Sequence, residues 1–135
     1  MILASALICL ASNLYFEARG EPILGQYAVA AVTMNRAADD PKKVCEVVLA
    51  RHQFSWTASR VTHTRRGVVL KRAAQPKDTF AWMIALKIAA NVLAGNKIDM
   101  THGSTYYHAV AARPGWRRHF RQEAVIGNHI FYRDT

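Results

Sequence analysis

Residues 3–22 read LASALICLASNLYFEARGEP, and this stretch decides the predicted fold. Its leucines fall on one face of an α-helix, at Leu3, Leu7, Leu10 and Leu14. The spacing predicts a first helix from about Ile2 to Arg19, which the glycine and proline that follow bring to an end.

Glu17 continues the leucine face, and at ~100° per residue it lies about 50° from the centre of the stripe. An exposed glutamate would normally occupy the opposite face. Burial raises the pKa of a carboxyl group, so a glutamate at this edge can hold a proton near neutral pH and donate it to a substrate. The alternative is a side chain that reaches solvent from the last helical turn.

The composition is that of one folded domain, residues 1–135, with 51% apolar residues. Eighteen lysines and arginines against nine acidic residues give a net charge of +9. This balance favours an anionic polymer as partner, which leaves nucleic acid, anionic lipid and an acidic cell-wall glycan as candidates.

Two cysteines are too few for a disulfide framework. Cys9 lies in the apolar first helix and Cys45 in a valine-rich run, which favours buried free thiols and leaves a bridge between them open. No stretch reaches the roughly 18 to 20 apolar residues of a membrane span. No basic residue precedes the apolar start, so we expect no signal peptide and a chain made as a soluble protein.

Periodic segments predict three further helices, at about Pro22–Ala37, Lys42–Ala50 and Thr79–Ala94. Strand-like runs follow at residues 104–109, 121–126 and 129–133. Gly127-Asn128 separates the last two and has hairpin composition. Residues 57–77 lack a clean period and are read mostly as loop, with a short strand at Val68–Leu70. The predicted class is α+β, helical first and β-rich at the end.

Gln53-Phe54-Ser55-Trp56 follows a predicted helix and can present an amide, a hydroxyl and an indole to a sugar. The alternative is that Phe54 and Trp56 pack the core. In Tyr106-Tyr107-His108, alternate side chains point to opposite faces of a strand. Either Tyr106 and His108 or Tyr107 alone would then face a cleft.

The histidines and cysteines lack the spacing of a metal site. No His-x-x-x-His, His-Glu-x-x-His or Cys-x-x-Cys pattern occurs, so we expect neither metal nor cofactor. Four arginines lie around Trp116, at Arg113, Arg117, Arg118 and Arg121. They suit a solvated basic face, an acidic wall polymer or nucleic acid.

The order of several segments resembles one known family. The segments are Glu17-Ala18-Arg19-Gly20-Glu21-Pro22, Gly25-Gln26 with Ala28–Val32 and Asn35-Arg36, Gln53–Trp56, Thr105–Ala109, and Ile126–Tyr132. In this order they resemble the SleB/CwlJ-type cell-wall hydrolases, that is, the spore-cortex lytic enzymes and their phage-borne relatives. The resemblance covers nearly the whole chain.

The resemblance implies a lysozyme-like domain that cleaves the β-1,4 bond between N-acetylmuramic acid and N-acetylglucosamine in peptidoglycan. The first glutamate of the family's Glu-Ala-Arg-Gly-Glu motif is the catalytic acid, which is Glu17 here. The candidate substrate-binding residues are Gln53, Ser55, Trp56, Tyr106, Tyr107, His108 and His129.

The mechanism depends on whether a second carboxylate assists Glu17. Glu21 is the nearby candidate, yet it opens the second helix, where the helix dipole favours a carboxylate without any catalytic duty. A single acid suffices for a lytic transglycosylase, in which Glu17 protonates the glycosidic oxygen and then deprotonates the C6 hydroxyl. We predict that reaction, with hydrolysis by water as the close alternative.

The chain departs from the cortex-lytic enzymes because it shows neither a secretion signal nor a separate wall-binding repeat. This departure favours a monomeric phage endolysin, made in the host cytoplasm and released to the wall, with its positive charge directed at the anionic envelope. The alternative from another class is a small basic nucleic-acid-binding protein, which would leave the position of Glu17 unexplained.

Overall fold

The computed structural model describes residues 2–3, 5–50, 56–65, 67–71 and 76–134. Its α-helices are α1 (Ala6–Ala18), α2 (Ile23–Arg36), α3 (Val44–Val48), α4 (Thr57–Arg60) and α5 (Thr79–Leu93). Its strands are β1 (Ile2–Leu3), β2 (Val61–Thr64), β3 (Gly67–Leu70), β4 (Tyr106–Ala109), β5 (Arg121–Ile126) and β6 (His129–Arg133). Short 3-10 turns occupy Pro41–Lys43 and Gly115–His119. The predicted α+β class is confirmed.

Helix α1 begins at Ala6, later than predicted, because Ser5 caps it. The Ser5 hydroxyl accepts a hydrogen bond from the Ile8 N–H at 3.3 Å. Ile2–Leu3, predicted as helix, pairs with β3 as strand β1 instead. Every residue from Cys9 to Tyr15 is buried, so this helix is enclosed over two turns rather than along one stripe.

The other long helices pack around α1. Both α5 and α2 contact it, and the buried residues of α2 include Gly25, Ala28, Val29 and Val32. Asp78 caps α5 by accepting a hydrogen bond from the Ala81 N–H at 3.1 Å, and Gly95 ends it with φ of +103°. Within the described residues, none of the helices combines the length and the apolar character that a membrane crossing requires.

Cys9 and Cys45 form a disulfide, so the favoured expectation of free thiols was wrong. The packing of α3 against α1 brings their Cα atoms to 5.3 Å, a proximity that sequence spacing does not reveal. The bridge spans a sequence separation of 36 residues and on loop-entropy grounds stabilises the fold by about 3–4 kcal/mol.

Two antiparallel sheets of three strands complete the fold. The first has the order β1-β3-β2, so the loop expectation for residues 57–77 was wrong where α4 and the β2–β3 hairpin form, while the short strand at Val68–Leu70 is confirmed. That hairpin depends on pairing with β1 far away in the chain, which no local period shows. The second has the order β4-β6-β5, and Gly127-Asn128 forms the predicted turn between β5 and β6.

Candidate active site

Glu17 lies half-buried in the last turn of α1. Burial raises the pKa of its carboxyl group above the ordinary value. Among the described residues, none donates a hydrogen bond to this carboxylate or forms an ion pair with it. A carboxyl group that is desolvated but left without a structural partner is suited to exchange protons with a ligand.

Tyr107 lies within electrostatic range of Glu17, on the face of β4 that packs against the core. Its hydroxyl is buried, and burial together with the negative charge of Glu17 holds the pKa of Tyr107 well above its usual range. The neighbouring Asn13 side chain opposes this shift. Asn13 precedes Glu17 by one helical turn and accepts a hydrogen bond from the Trp56 indole N–H at 3.1 Å. Asn13 therefore joins Trp56 to the tyrosine next to the acid.

Arg36, at the end of α2, brings a positive charge to the same group. Its guanidinium lies over the Tyr106 ring at 5.4 Å from the ring centre, and its charge also acts on Tyr107. Burial lowers the pKa of Arg36, while the two tyrosines oppose that shift. Tyr107 therefore interacts electrostatically with Glu17 from α1 and with Arg36 from α2.

Glu21 has the opposite surroundings from Glu17. Its Oε1 accepts a hydrogen bond from the Asn128 backbone N–H at 2.7 Å, and its Oε2 accepts one from the Asn128 side-chain amide at 3.2 Å. His129 Nδ1 lies 2.9 Å from Oε1, and the two side chains are 7% and 8% exposed. Both carboxylate oxygens are therefore occupied by the β5–β6 hairpin, which disfavours Glu21 as a second catalytic carboxylate.

Tyr106 and His108 lie on the other face of β4, away from Glu17. Tyr106 stacks on Phe120 with ring centres 4.4 Å apart. His108 is 8% exposed, and its Nε2 lies 2.8 Å from the Tyr132 hydroxyl. Of the two arrangements left open by the alternation, the structure has Tyr107 facing the acid, and it does not bring Tyr106 and His108 to it.

A family model described as Cell Wall Hydrolase matches residues 20–132 of this sequence. The chain belongs to the cell wall hydrolase family. The match begins just after Glu17, so the position of that residue rests on the structure and on the motif around it.

Curated relatives of this cell wall hydrolase are longer proteins. A spore cortex-lytic enzyme from Halalkalibacterium halodurans is 33% identical over 90% of this chain, and one from Bacillus cereus is 31% identical over the same share. The chain spans 33% and 42% of the lengths of these two proteins.

Two solved structures share the fold. The catalytic domain of the SleB protein from Bacillus cereus is 31% identical, with a TM-score of 0.64 over 95% of this chain and 90% of that one. The catalytic domain of the germination-specific lytic transglycosylase SleB from Bacillus anthracis is 28% identical, with a TM-score of 0.71 over 98% and 97%. The predicted lysozyme-like fold and the predicted family are both confirmed.

Of the remaining candidate residues, some pack inside the protein and the others lie outside the described residues. Gln53 and Ser55 lie outside them. Trp56 is 6% exposed and stacks on Phe16 with ring centres 5.0 Å apart. This is core packing, the alternative to sugar binding that the sequence left open. His129 is 6% exposed and contacts the Tyr107 ring edge-on, which leaves little surface for a substrate.

Two residues of the candidate site were missed in the sequence. Asn13 is fully buried one turn before Glu17, and a polar residue inside an apolar helical run was the signal for it. Arg36 was noted in the family resemblance but not assigned a role, and nothing local marks it because its partners lie on β4. In the described part of the chain, no three metal-ligating side chains converge on one point.

A cavity of about 290 Å³ opens between the α1–α2 turn and α5. Its lining includes Arg19, Gly20, Glu21 and Phe80, and it does not include Glu17 or Tyr107. This cavity is therefore separate from the candidate active site.

Proposed function

We propose that this chain cleaves the β-1,4 bond between N-acetylmuramic acid and N-acetylglucosamine in peptidoglycan, as a lytic transglycosylase with Glu17 as its single acid and base. The observation that carries the proposal is the half-buried Glu17 carboxyl beside Tyr107, without a hydrogen-bond or ion-pair partner among the described residues. Membership of the cell wall hydrolase family supports the substrate.

The reaction needs one group that first gives and then takes a proton. Protonated Glu17 donates its proton to the glycosidic oxygen as the bond from that oxygen to C1 of muramic acid breaks. The resulting carboxylate takes the proton of the C6 hydroxyl, whose oxygen forms a new bond to C1. The products are a free N-acetylglucosamine hydroxyl and a 1,6-anhydro-muramyl end, and Glu17 is protonated again.

The neighbours of Glu17 suit both proton transfers. Burial raises the pKa of Glu17, which increases the fraction of its carboxyl group that is protonated at any given pH. Tyr107 stays neutral because its pKa is raised, so its hydroxyl can stabilise the carboxylate between the two transfers. The Arg36 charge acts on Tyr107 and opposes the rise in the pKa of that hydroxyl.

The occupied oxygens of Glu21 support a mechanism with one carboxylate. Glycosidases that hydrolyse with two carboxylates need the second one free to act as base or nucleophile at about 5–9.5 Å from the first. Glu21 is bonded to the hairpin and 8% exposed, so it is poorly placed to activate water. The name of the similar Bacillus anthracis protein, a lytic transglycosylase, supports the same chemistry.

Mass spectrometry of the released muropeptides tests the chemistry. Purified peptidoglycan is digested with the wild-type chain, and the proposal expects muramyl ends lighter by one water than hydrolysed ends. Ends of hydrolysed mass would overturn the transglycosylase assignment in favour of a muramidase. No release of glycan fragments, together with tight retention on nucleic acid, would favour the nucleic-acid-binding alternative.

The proposed binding partner is an anionic polymer of the cell envelope. The basic face around the 3-10 turn at Gly115–His119 supports this proposal. Arg113, Arg117 and Arg118 lie there, and within the described residues no carboxylate pairs with them. Arg121 pairs with Glu123 at 2.7 Å instead. The monomeric state, the endolysin role and the release of the protein from the cytoplasm to the wall stay predictions from the sequence.

A further inference from the structure

We propose that Glu21 is a positioning residue, which together with His129 fixes the β5–β6 hairpin to the end of α1 and so holds Tyr107 against Glu17. This inference rests on the proposed function, because it takes Glu17 as the reacting group. It assigns Glu21 a role in the reaction through other residues, without contact with the substrate.

Glu21 is anchored on both sides of the gap between α1 and the hairpin. Its backbone N–H donates a hydrogen bond to the Ala18 carbonyl at 3.0 Å, and Ala18 directly follows Glu17. Its side chain accepts the two hydrogen bonds from Asn128, and its Oε1 lies 2.9 Å from His129 Nδ1. One residue therefore ties the last turn of the acid-bearing helix to the tip of the hairpin.

The hairpin turn is shaped for this close approach. Gly127 has φ of +57°, and a Cβ placed there would lie 2.9 Å from Glu21 Oε1 and 3.2 Å from Pro22 Cδ. A side chain at this position would clash with the carboxylate and strain the backbone. Glycine at position 127 therefore lets the Glu21 carboxylate reach the Asn128 N–H.

The contact continues from His129 to the acid. The His129 ring meets the Tyr107 ring edge-on, with centres 5.2 Å apart and planes at 89°. Tyr107 also pairs with Phe131 across the β4–β6 ladder, and Phe131 is fully buried. A shift at the start of β6 would therefore move Tyr107, which lies within electrostatic range of the Glu17 carboxyl.

The test is the pH profile of kcat on purified peptidoglycan for the wild type, Glu21→Ala and Glu21→Gln. Glu17 acts as acid in its protonated form, so its raised pKa sets the alkaline limb of the profile. If Tyr107 withdraws and water reaches Glu17, the pKa of Glu17 falls and the alkaline limb moves to lower pH. Exposed Glu46 on α3 provides the matched control, Glu46→Gln, which removes the same charge.

We expect Glu21→Ala to lower kcat by about 10- to 100-fold and to move the alkaline limb to lower pH. Glu21→Gln should recover most of the activity, because the amide oxygen can still accept the Asn128 N–H. If Glu21→Ala does not fold, Gly127→Ala provides the second variant, since it displaces the carboxylate without removing it, and the same limb shift is expected.

Two results would overturn the inference. Loss of all activity in well-folded Glu21→Gln would make Glu21 a second catalytic carboxylate. The contact would be purely structural if the activity of Glu21→Ala or Gly127→Ala fell only in proportion to the unfolded fraction and the alkaline limb of the pH profile stayed in place. Failure of the proposed function is distinguishable from both, because the wild type would then release no anhydro-muramyl ends, or Glu17→Gln would release them at the wild-type rate.

Discussion

The last turn of α1 and the α1–α2 turn that follows it each carry a glutamate, and the two have opposite surroundings. Glu17 is desolvated without a partner among the described residues, whereas Glu21 is bonded through both oxygens to the hairpin. The two glutamates are four positions apart. One carboxyl group is left without a partner among the described residues, and the other is held by the hairpin. The environment of a carboxyl group, rather than the residue type, decides whether it suits proton transfer or a structural contact.

Removing the proton of Glu17 gives the largest expected effect. Glu17→Gln keeps the shape of the side chain but cannot donate or accept the reaction's proton. We expect the initial rate of turbidity loss of purified peptidoglycan to fall by at least about 10³-fold. Glu46→Gln, the matched charge control, should clear the suspension at the wild-type rate. Equal clearing by Glu17→Gln and the wild type would end the catalytic assignment.

Removing the Tyr107 hydroxyl tests whether this group assists Glu17. Tyr107→Phe keeps the ring contact with His129 and deletes the group beside the carboxyl. We expect kcat to fall by about 10- to 100-fold, because the Glu17 carboxylate loses a stabilising hydroxyl. Tyr106→Phe, on the other face of β4, is the matched control and should change kcat little. Similar kcat values for the two variants would remove Tyr107 from the site.

Stability should respond with opposite signs at the two glutamates. A raised folded-state pKa means that the contribution of Glu17 is fully present below its ordinary pKa of 4.5 and is lost as pH rises. At pH 7, Glu17→Gln should therefore raise Tm, and the gain should shrink towards pH 4. Glu21→Gln should lower the free energy of unfolding by about 1–3 kcal/mol, because it weakens the contacts of a largely buried side chain with the hairpin.

Thermal unfolding of both variants at pH 4 and pH 7 makes this measurement. Glu46→Gln again provides the control and should leave Tm nearly unchanged, because its side chain is exposed. A drop in Tm for Glu17→Gln at pH 7 would mean that its carboxylate has a stabilising partner, and the contrast between the two glutamates would disappear.

The smallest effect is expected where neither carboxylate is touched. Replacing Arg117 and Arg118 by alanine should weaken attachment to the anionic wall by about 2- to 5-fold at low salt and leave kcat unchanged. Added salt should reduce the difference between the variant and the wild type. Binding to insoluble peptidoglycan across a salt series measures it, and a difference that does not depend on salt would argue against an electrostatic attachment.

The sequence could single out Glu17 as the candidate acid because the signal was local. The helical face from Leu10 to Leu14 extends to Glu17, and the motif around it added the family. Even there the pattern was incomplete, since Leu3 belongs to a strand and Leu7 is 36% exposed. The helices α2 and α5 and the C-terminal hairpin were also predictable, because each carries its own period, cap or turn.

What the sequence could not provide was pairing over long distances. The partner of Glu21 lies 107 residues further along the chain, so the glutamate looked like a helix-start residue. The bridge from Cys9 to Cys45 and the pairing of β1 with β3 likewise exist only once tertiary packing brings the segments together. For the same reason, the sequence left undecided which face of β4 is directed towards Glu17.

Muropeptide release by Glu17→Gln and Glu21→Gln, measured side by side at matched folded concentration, tests the central claim most directly. The account predicts no release above background for Glu17→Gln, and anhydro-muramyl products at a large fraction of the wild-type rate for Glu21→Gln. Equal inactivity of the two folded variants, or activity in Glu17→Gln, would contradict it.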